Sequence, residues 1–215
     1  MIPKIAVLLS GRGSNLAALL EAQANGAPFS IALVGSNQPQ APGLDIARKA
    51  GIHAFALDHR QFGRDRAAFE AALDALLTPH AIDMIALAGF MRVLSPYFVE
   101  RWAGRMINIH PSLLPAFPGR DTHQRALTAG VKLHGCSVHF VTAGVDEGPI
   151  IAQAAVPVLP DDTAESLGAR VLKAEHVLYP NALALAAQRG QGEIRGFGPP
   201  PNQPLILSGW LEKPV

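Results

Sequence analysis

Residues Ile107-Asn108-Ile109-His110-Pro111-Ser112-Leu113-Leu114-Pro115 place a carboxamide and an imidazole two positions apart in an apolar run. Alternate side chains of an extended strand share a face, so Asn108 and His110 point the same way before Pro111 ends the ladder. An amide N–H can donate to a carbonyl oxygen that becomes negative, and an imidazole can protonate a nitrogen that must leave. Taken alone, the pair also fits a strand end whose polar groups serve only neighbouring backbone. A second motif, Gly11-Arg12-Gly13-Ser14-Asn15, follows the apolar run Lys4 to Ser10 and precedes Leu16, Leu19 and Leu20 at helical spacing. Two glycines allow a sharp turn, Ser14 or Asn15 can cap the helix, and free N–H groups there can face an anion. The loop lacks the lysine of a nucleoside-triphosphate loop, and Leu16 stands where a dinucleotide fingerprint has its third glycine. Gly35-Ser36-Asn37 also lacks the acidic residue that would hold an adenosine ribose, so a monophosphate fits best. The alternative is a capped helix start with no ligand.

The elements that must position these groups follow an alternating order. Ile31 to Gly35, His53 to Leu57, Met84 to Ala88 and Met106 to His110 read as strands. Leu44 to Ala50, Arg66 to Leu77 and Pro96 to Trp102 read as helices between them. Such alternation predicts an α/β fold with a mostly parallel sheet flanked by helices and joined by right-handed crossovers. Val131 to Val141 and Ile150 to Val158 read as a later hairpin-like pair, and Ala164 to Leu185 as a helix interrupted near Pro180. Pro199, Pro200, Pro201 and Pro204 mark an extended tail. The segment Ala116 to Asp121 reads as a mobile loop.

A chain of 215 residues can bury one large core. Its formal net charge is +1 with the two signs interspersed, which argues against nucleic acid and membrane surfaces and for small-molecule partners. Cys136 is the only cysteine, so no internal disulfide or multi-cysteine metal site can form. With no signal peptide read at the start, a reducing cytoplasm is expected. No apolar run approaches the roughly 20 residues of a membrane span. The histidines show no metal spacing, and no metal is expected.

The glycine loop, Leu87-Ala88-Gly89-Phe90-Met91-Arg92, Asn108 through Pro115, and His134-Gly135-Cys136-Ser137-Val138-His139-Phe140-Val141 leading to Asp146-Glu147-Gly148-Pro149 together resemble the folate-dependent phosphoribosylglycinamide formyltransferases, also called glycinamide ribonucleotide transformylases, of purine biosynthesis. The resemblance implies a single-domain Rossmann-like sheet over residues 1–190, with a phosphate-binding half to about residue 100, a catalytic and folate half after it, and a tail over 191–215. It implies transfer of a formyl group from 10-formyltetrahydrofolate, as co-substrate, to the amine of glycinamide ribonucleotide. The catalytic roles fall on Asn108, His110 and Asp146, with Asp146 close enough in space to favour the charged imidazole. The ribonucleotide falls on Gly13, Ser14, Asn15, Lys173 and Glu175. The folate falls on Arg66, Met91, Arg92, Val93, Leu94, Asn108, Thr142, Ala143, Gly144, Val145 and Asp146, with Arg92 meeting the glutamate carboxylate. Arg66 read alone is a solvated helix-start charge, and Arg12 either aids phosphate binding or faces water. His134 and His139 are read as structural groups or as support for the site. A monomer or a homodimer is compatible with this reading.

Three rivals share parts of this pattern. The Asn-x-His-Pro-Ser-Leu-Leu-Pro segment belongs to the wider group using the same formyl donor, which includes formyltransferases for aminoacyl-tRNA or amino sugars and a hydrolase that releases formate. The tRNA enzyme is expected to carry an extra C-terminal domain and a basic surface, and the hydrolase an N-terminal regulatory domain. A non-catalytic nucleotide-binding module is the reading from a different class.

Overall fold

The computed structural model describes residues 2–189, so the expected tail over 191–215 lies outside the described residues. Among the described residues, seven strands form one sheet in the order β3-β2-β1-β4-β5-β6-β7. They are β1 (Lys4–Leu9), β2 (Ser30–Ser36), β3 (His53–Ala56), β4 (Met84–Leu87), β5 (Met106–His110), β6 (Leu133–Phe140) and β7 (Ile150–Pro157). The first five pair in parallel, whereas β6 runs antiparallel to both β5 and β7. The helices are α1 (Ser14–Ala24), α2 (Gly43–Lys49), α3 (Arg66–Leu77), α4 (Pro96–Arg101), α5 (Thr122–Thr128) and α6 (Ala164–Arg189).

Period-2 alternation divides β1 between two cores. Ile5, Val7 and Leu9 pack on the face that carries Leu16, Leu19, Val171 and Leu183. Ala6 and Leu8 pack on the face that carries Phe69, Leu73, Phe98 and Trp102. All four β4 residues are buried, as a parallel strand covered on both sides requires. Strand β1 lies between β2 and β4, so the connections leave it in opposite directions along the sheet. The loops after β1 and β4 therefore open a crevice beyond the C-terminal strand ends, where ligands bind in sheets of this kind. His110 ends β5 beside that crevice.

Two expectations are corrected. Pro180 does not interrupt α6, which runs unbroken from Ala164 to Arg189. A mid-helix proline costs about 3 kcal/mol, and burial of a single leucine returns about 1.5–3. Here Tyr179, Ala182 and Leu183 are all buried, the Tyr179 hydroxyl donates to the Leu87 carbonyl at 2.9 Å, and Asn181 Nδ2 donates to the Val177 carbonyl at 2.8 Å. Tertiary packing thus outweighs the local breaker. Helix α5 was not anticipated: its seven residues bury only Thr122 and Ala126, too few to create an apolar period.

Candidate active site at the strand ends

The antiparallel register of β5 and β6 sets Asn108 opposite His139 and His110 opposite Ser137. Asn108 Nδ2 lies 3.3 Å from His139 Nε2. Asp146 enters from the loop after β6, with Oδ2 at 3.3 Å from His110 Nδ1 and Oδ1 at 3.6 Å from His139 Nε2. Asp146 adopts φ 57, and the chain can return from it only because Gly148 has no side chain: a Cβ there would sit 1.7 Å from the Phe140 carbonyl oxygen. Burial penalises the Asp146 charge. The Gly119 amide at 2.8 Å and the His110 ring at 3.3 Å offset that penalty and hold the carboxyl below its ordinary value. His110 is only 5% exposed, and its Nε2 lies 3.0 Å from the Phe117 carbonyl oxygen. A carbonyl only accepts, so Nε2 carries a proton in this arrangement.

The loop over Ala116 to Asp121 is tied down at several points. Phe117 and Gly119 hold His110 and Asp146 as described, and Arg125 donates to the carbonyls of Pro118 at 2.5 Å and Arg120 at 3.3 Å. Before it, the Ser137 hydroxyl donates to the Ser112 carbonyl and accepts from the Leu114 amide, while Gln153 donates to the Leu114 carbonyl. Behind it, His123 and His134 meet at 3.1 Å between Nδ1 and Nε2. Burial pushes His134 down to about 4, and the His123 and His110 rings push the same way.

On the other side of the crevice, Gly13 precedes α1 with φ 79, a conformation that favours glycine, and a Cβ there would lie 2.6 Å from Gly43 Cα. Neither Ser14 nor Asn15 caps α1 through its side chain. Asn15 instead turns into the protein and donates from Nδ2 to Glu175 Oε2 at 2.7 Å, across to α6. The buried carboxyl of Glu175 is pushed up by burial and partly pulled back by that bond. Asn15 and Glu175, both assigned to the ribonucleotide, are therefore neighbours, whereas Lys173 is exposed on α6 and Ser14 is half-buried. Ser10 joins this loop to the next strand end by accepting from the Met91 amide at 2.8 Å.

Met91 and Val93 stand 77% and 61% exposed after β4, with Arg92 and Leu94 half-buried between and beyond them. The Arg92 guanidinium carbon lies 4.7 Å from the centre of the Phe69 ring. Phe69 is three positions along α3 from Arg66, so Arg66, which is exposed, shares a helix face with the ring that Arg92 covers. Thr142 and Ala143 are exposed, Gly144 is half-buried and Val145 is exposed on the loop that ends at Asp146. Sequence reasoning missed the direct approach of His139 to Asn108 and Asp146. Its signal was available only as a register: His139 shares a strand with His134 and Ser137, but its partner depends on how β6 pairs. Among the described residues, no group of three or more His, Cys, Asp and Glu is placed to hold a metal ion. Among them, too, no helix is long and apolar enough to cross a membrane.

The fold is a doubly wound α/β sheet that carries an Asn-His-Asp cluster beside its switch point, where sheets of this kind bind small molecules. The formyl transferase family model matches residues 3–183, and the chain belongs to that family. It is 48% identical over 177 residues to the phosphoribosylglycinamide formyltransferase of Escherichia coli (strain K12), covering 82% of this chain and 83% of that protein. It is 51% identical over 185 residues to the trifunctional purine biosynthetic protein adenosine-3 of Drosophila melanogaster, covering 85% of this chain but spanning only 14% of that protein's length. The crystal structure of phosphoribosylglycinamide formyltransferase from Brucella melitensis superposes with a TM-score of 0.83 at 53% identity, covering 87% of this chain and 96% of that one.

Proposed function

We propose that this protein transfers the formyl group of 10-formyltetrahydrofolate to the amine of glycinamide ribonucleotide, giving formylglycinamide ribonucleotide and tetrahydrofolate in purine biosynthesis. The observation that carries the reading is the cluster itself: an amide donor, a buried imidazole and a carboxylate 3.3 Å from that imidazole, at the crevice beyond the strand ends. The identity to named phosphoribosylglycinamide formyltransferases supports the choice of acceptor.

In this reading the neutral glycinamide amine attacks the formyl carbon, and the carbonyl electron pair moves onto oxygen. Asn108 and the protonated His110 donate to that oxyanion. As the tetrahedral intermediate collapses, the bond to the folate N10 breaks, that nitrogen takes up a proton through His110, and the attacking nitrogen loses one. Asp146 holds the imidazolium and its orientation. The Phe117 carbonyl occupies the His110 Nε2 proton until substrate oxygen takes its place. Backbone N–H groups at Gly13, Ser14 and Asn15 face the ribonucleotide phosphate, while Glu175, oriented by Asn15, meets the sugar, with Lys173 nearby on α6. Met91 to Leu94 and Thr142 to Val145 flank the pterin, and Arg92 and Arg66 offer the positive charge for the glutamate tail. The same reading places residues 1–190 in one enzyme domain and the reaction in the cytoplasm.

Purified protein supplied with 10-formyltetrahydrofolate should formylate glycinamide ribonucleotide and release no formate when the acceptor is withheld. Formate release from the donor alone would instead identify a hydrolase. No turnover with either mixture, at a donor concentration that binds, would leave a non-catalytic binding module.

A further inference from the structure

We infer that His139 is a positioning residue for formyl transfer: as a neutral ring protonated on Nδ1, it accepts a hydrogen bond from Asn108 and fixes which end of the carboxamide faces the reacting carbonyl. The inference rests on the reading of Asn108 as the oxyanion donor. His139 is 2% exposed and lies directly across the strand pair from Asn108. Its Nδ1 sits 2.9 Å from the Phe140 carbonyl oxygen. A carbonyl has no hydrogen to give, so Nδ1 must carry one, and in the neutral ring Nε2 is then a bare acceptor. That acceptor is 3.3 Å from Asn108 Nδ2, within hydrogen-bond reach, and 3.6 Å from Asp146 Oδ1, beyond it.

The two histidines of the cluster carry opposite patterns. His110 has an acceptor at each ring nitrogen, Asp146 Oδ2 and the Phe117 carbonyl, which suits a doubly protonated ring. His139 has an acceptor at one nitrogen and a donor at the other, which suits a neutral ring. A carboxamide can exchange its nitrogen and oxygen by a half-turn at little cost, and the oxygen end would repel a developing oxyanion. A bare Nε2 accepts only from the nitrogen end. It removes that ambiguity, takes one Nδ2 hydrogen, and leaves the second for the substrate.

The test pairs His139→Leu, which removes the acceptor, with His139→Gln, whose amide oxygen can reach the place of Nε2. His139→Leu should lower kcat about tenfold, the equivalent of one hydrogen bond, and leave both KM values within about threefold. His139→Gln should recover most of that loss. In an Asn108→Ala background the same Leu substitution should cost little, because the group it orients is gone, whereas with Asp146→Asn it should keep its full cost. A full, additive loss in Asn108→Ala would overturn the inference, as would coupling to Asp146 alone. Near-normal kcat in Asn108→Ala itself would instead overturn the role given to Asn108. Nitrogen NMR of the histidine rings supplies a readout independent of turnover. The unsubstituted protein should show His139 at neutral pH with Nδ1 protonated and Nε2 bare, and a protonated Nε2 would contradict the inference even if the variants fail to fold.

Discussion

Asn108 pairs with His139 and His110 with Asp146, while His110, His139 and Asp146 are tied to backbone groups of Phe117, Phe140 and Gly119, with both histidines all but sealed from solvent. On the loop after β4, by contrast, Met91 and Val93 stand 77% and 61% exposed. The first region holds dipoles and charges in place before any substrate arrives, which spares the reaction the cost of reorganising them. The second has apolar surface that no described residue buries. Substitutions in the polar cluster should therefore act on turnover, and substitutions along the wall on affinity.

The largest effect should come from the cluster. Asn108→Ala should lower kcat by about 10²–10³, the usual cost of an oxyanion donor, with both KM values little changed in steady-state kinetics. Asp146→Asn should also lose turnover, and its stability carries a sign. The Asp146 carboxyl is held below its ordinary 3.8, so it contributes stability that is present above that value and lost as the pH falls through its folded value. Unfolding titrations should find Asp146→Asn less stable than the unsubstituted protein at neutral pH, with the gap closing in acid. A gap independent of pH would mean that the charge on Asp146 does not matter to the fold.

The wall should give the intermediate effect. Arg92→Gln should raise KM for the folate about tenfold, the order of one charge-assisted contact, and leave kcat and KM for the ribonucleotide nearly unchanged. A fall in kcat alone would move Arg92 into the catalytic group and blur the contrast. The smallest effect on turnover belongs to His134, which lies behind the cluster. Its value, pushed down from 6.5 to about 4, makes the unfolded chain bind more protons between those limits, so stability falls as the pH is lowered through that window. His134→Gln, which keeps a polar group facing His123, should flatten that part of the stability curve while leaving kcat within a few-fold.

The same contrast separates what could be read from the sequence from what could not. The five parallel strands carry short apolar runs, and both Asn108 and His110 lie on one of them, so period-2 geometry alone put them on one face. The glycine loop was legible from its place between strand and helix, but its chemistry was only partly so. Asn15 is spent on Glu175 rather than on capping α1, a partner 160 positions away that no local rule could find. Gly13 serves packing against Gly43 as well as the turn, so a bulky replacement there reports on the fold; Gly11, where an added Cβ would meet nothing within 4 Å, is the better probe of phosphate affinity. Asp146 was placed beside His110 by resemblance alone, because that contact depends on a turn held by Gly148. His139 needed the β5–β6 register, and Pro180 needed the packing of Tyr179. Each of these depends on long-range pairing that local periodicity does not encode.

Rapid-mixing single-turnover measurement of formyl transfer in His110→Ala, with both substrates saturating and their dissociation constants measured separately, tests most directly the claim that the polar cluster acts on chemistry and not on binding. The account predicts a transfer rate at least about 10²-fold lower, as expected for loss of a general acid that also donates to the oxyanion, with both dissociation constants within about threefold of the unsubstituted protein. A normal transfer rate, or a loss that appears wholly as weaker binding, would contradict it.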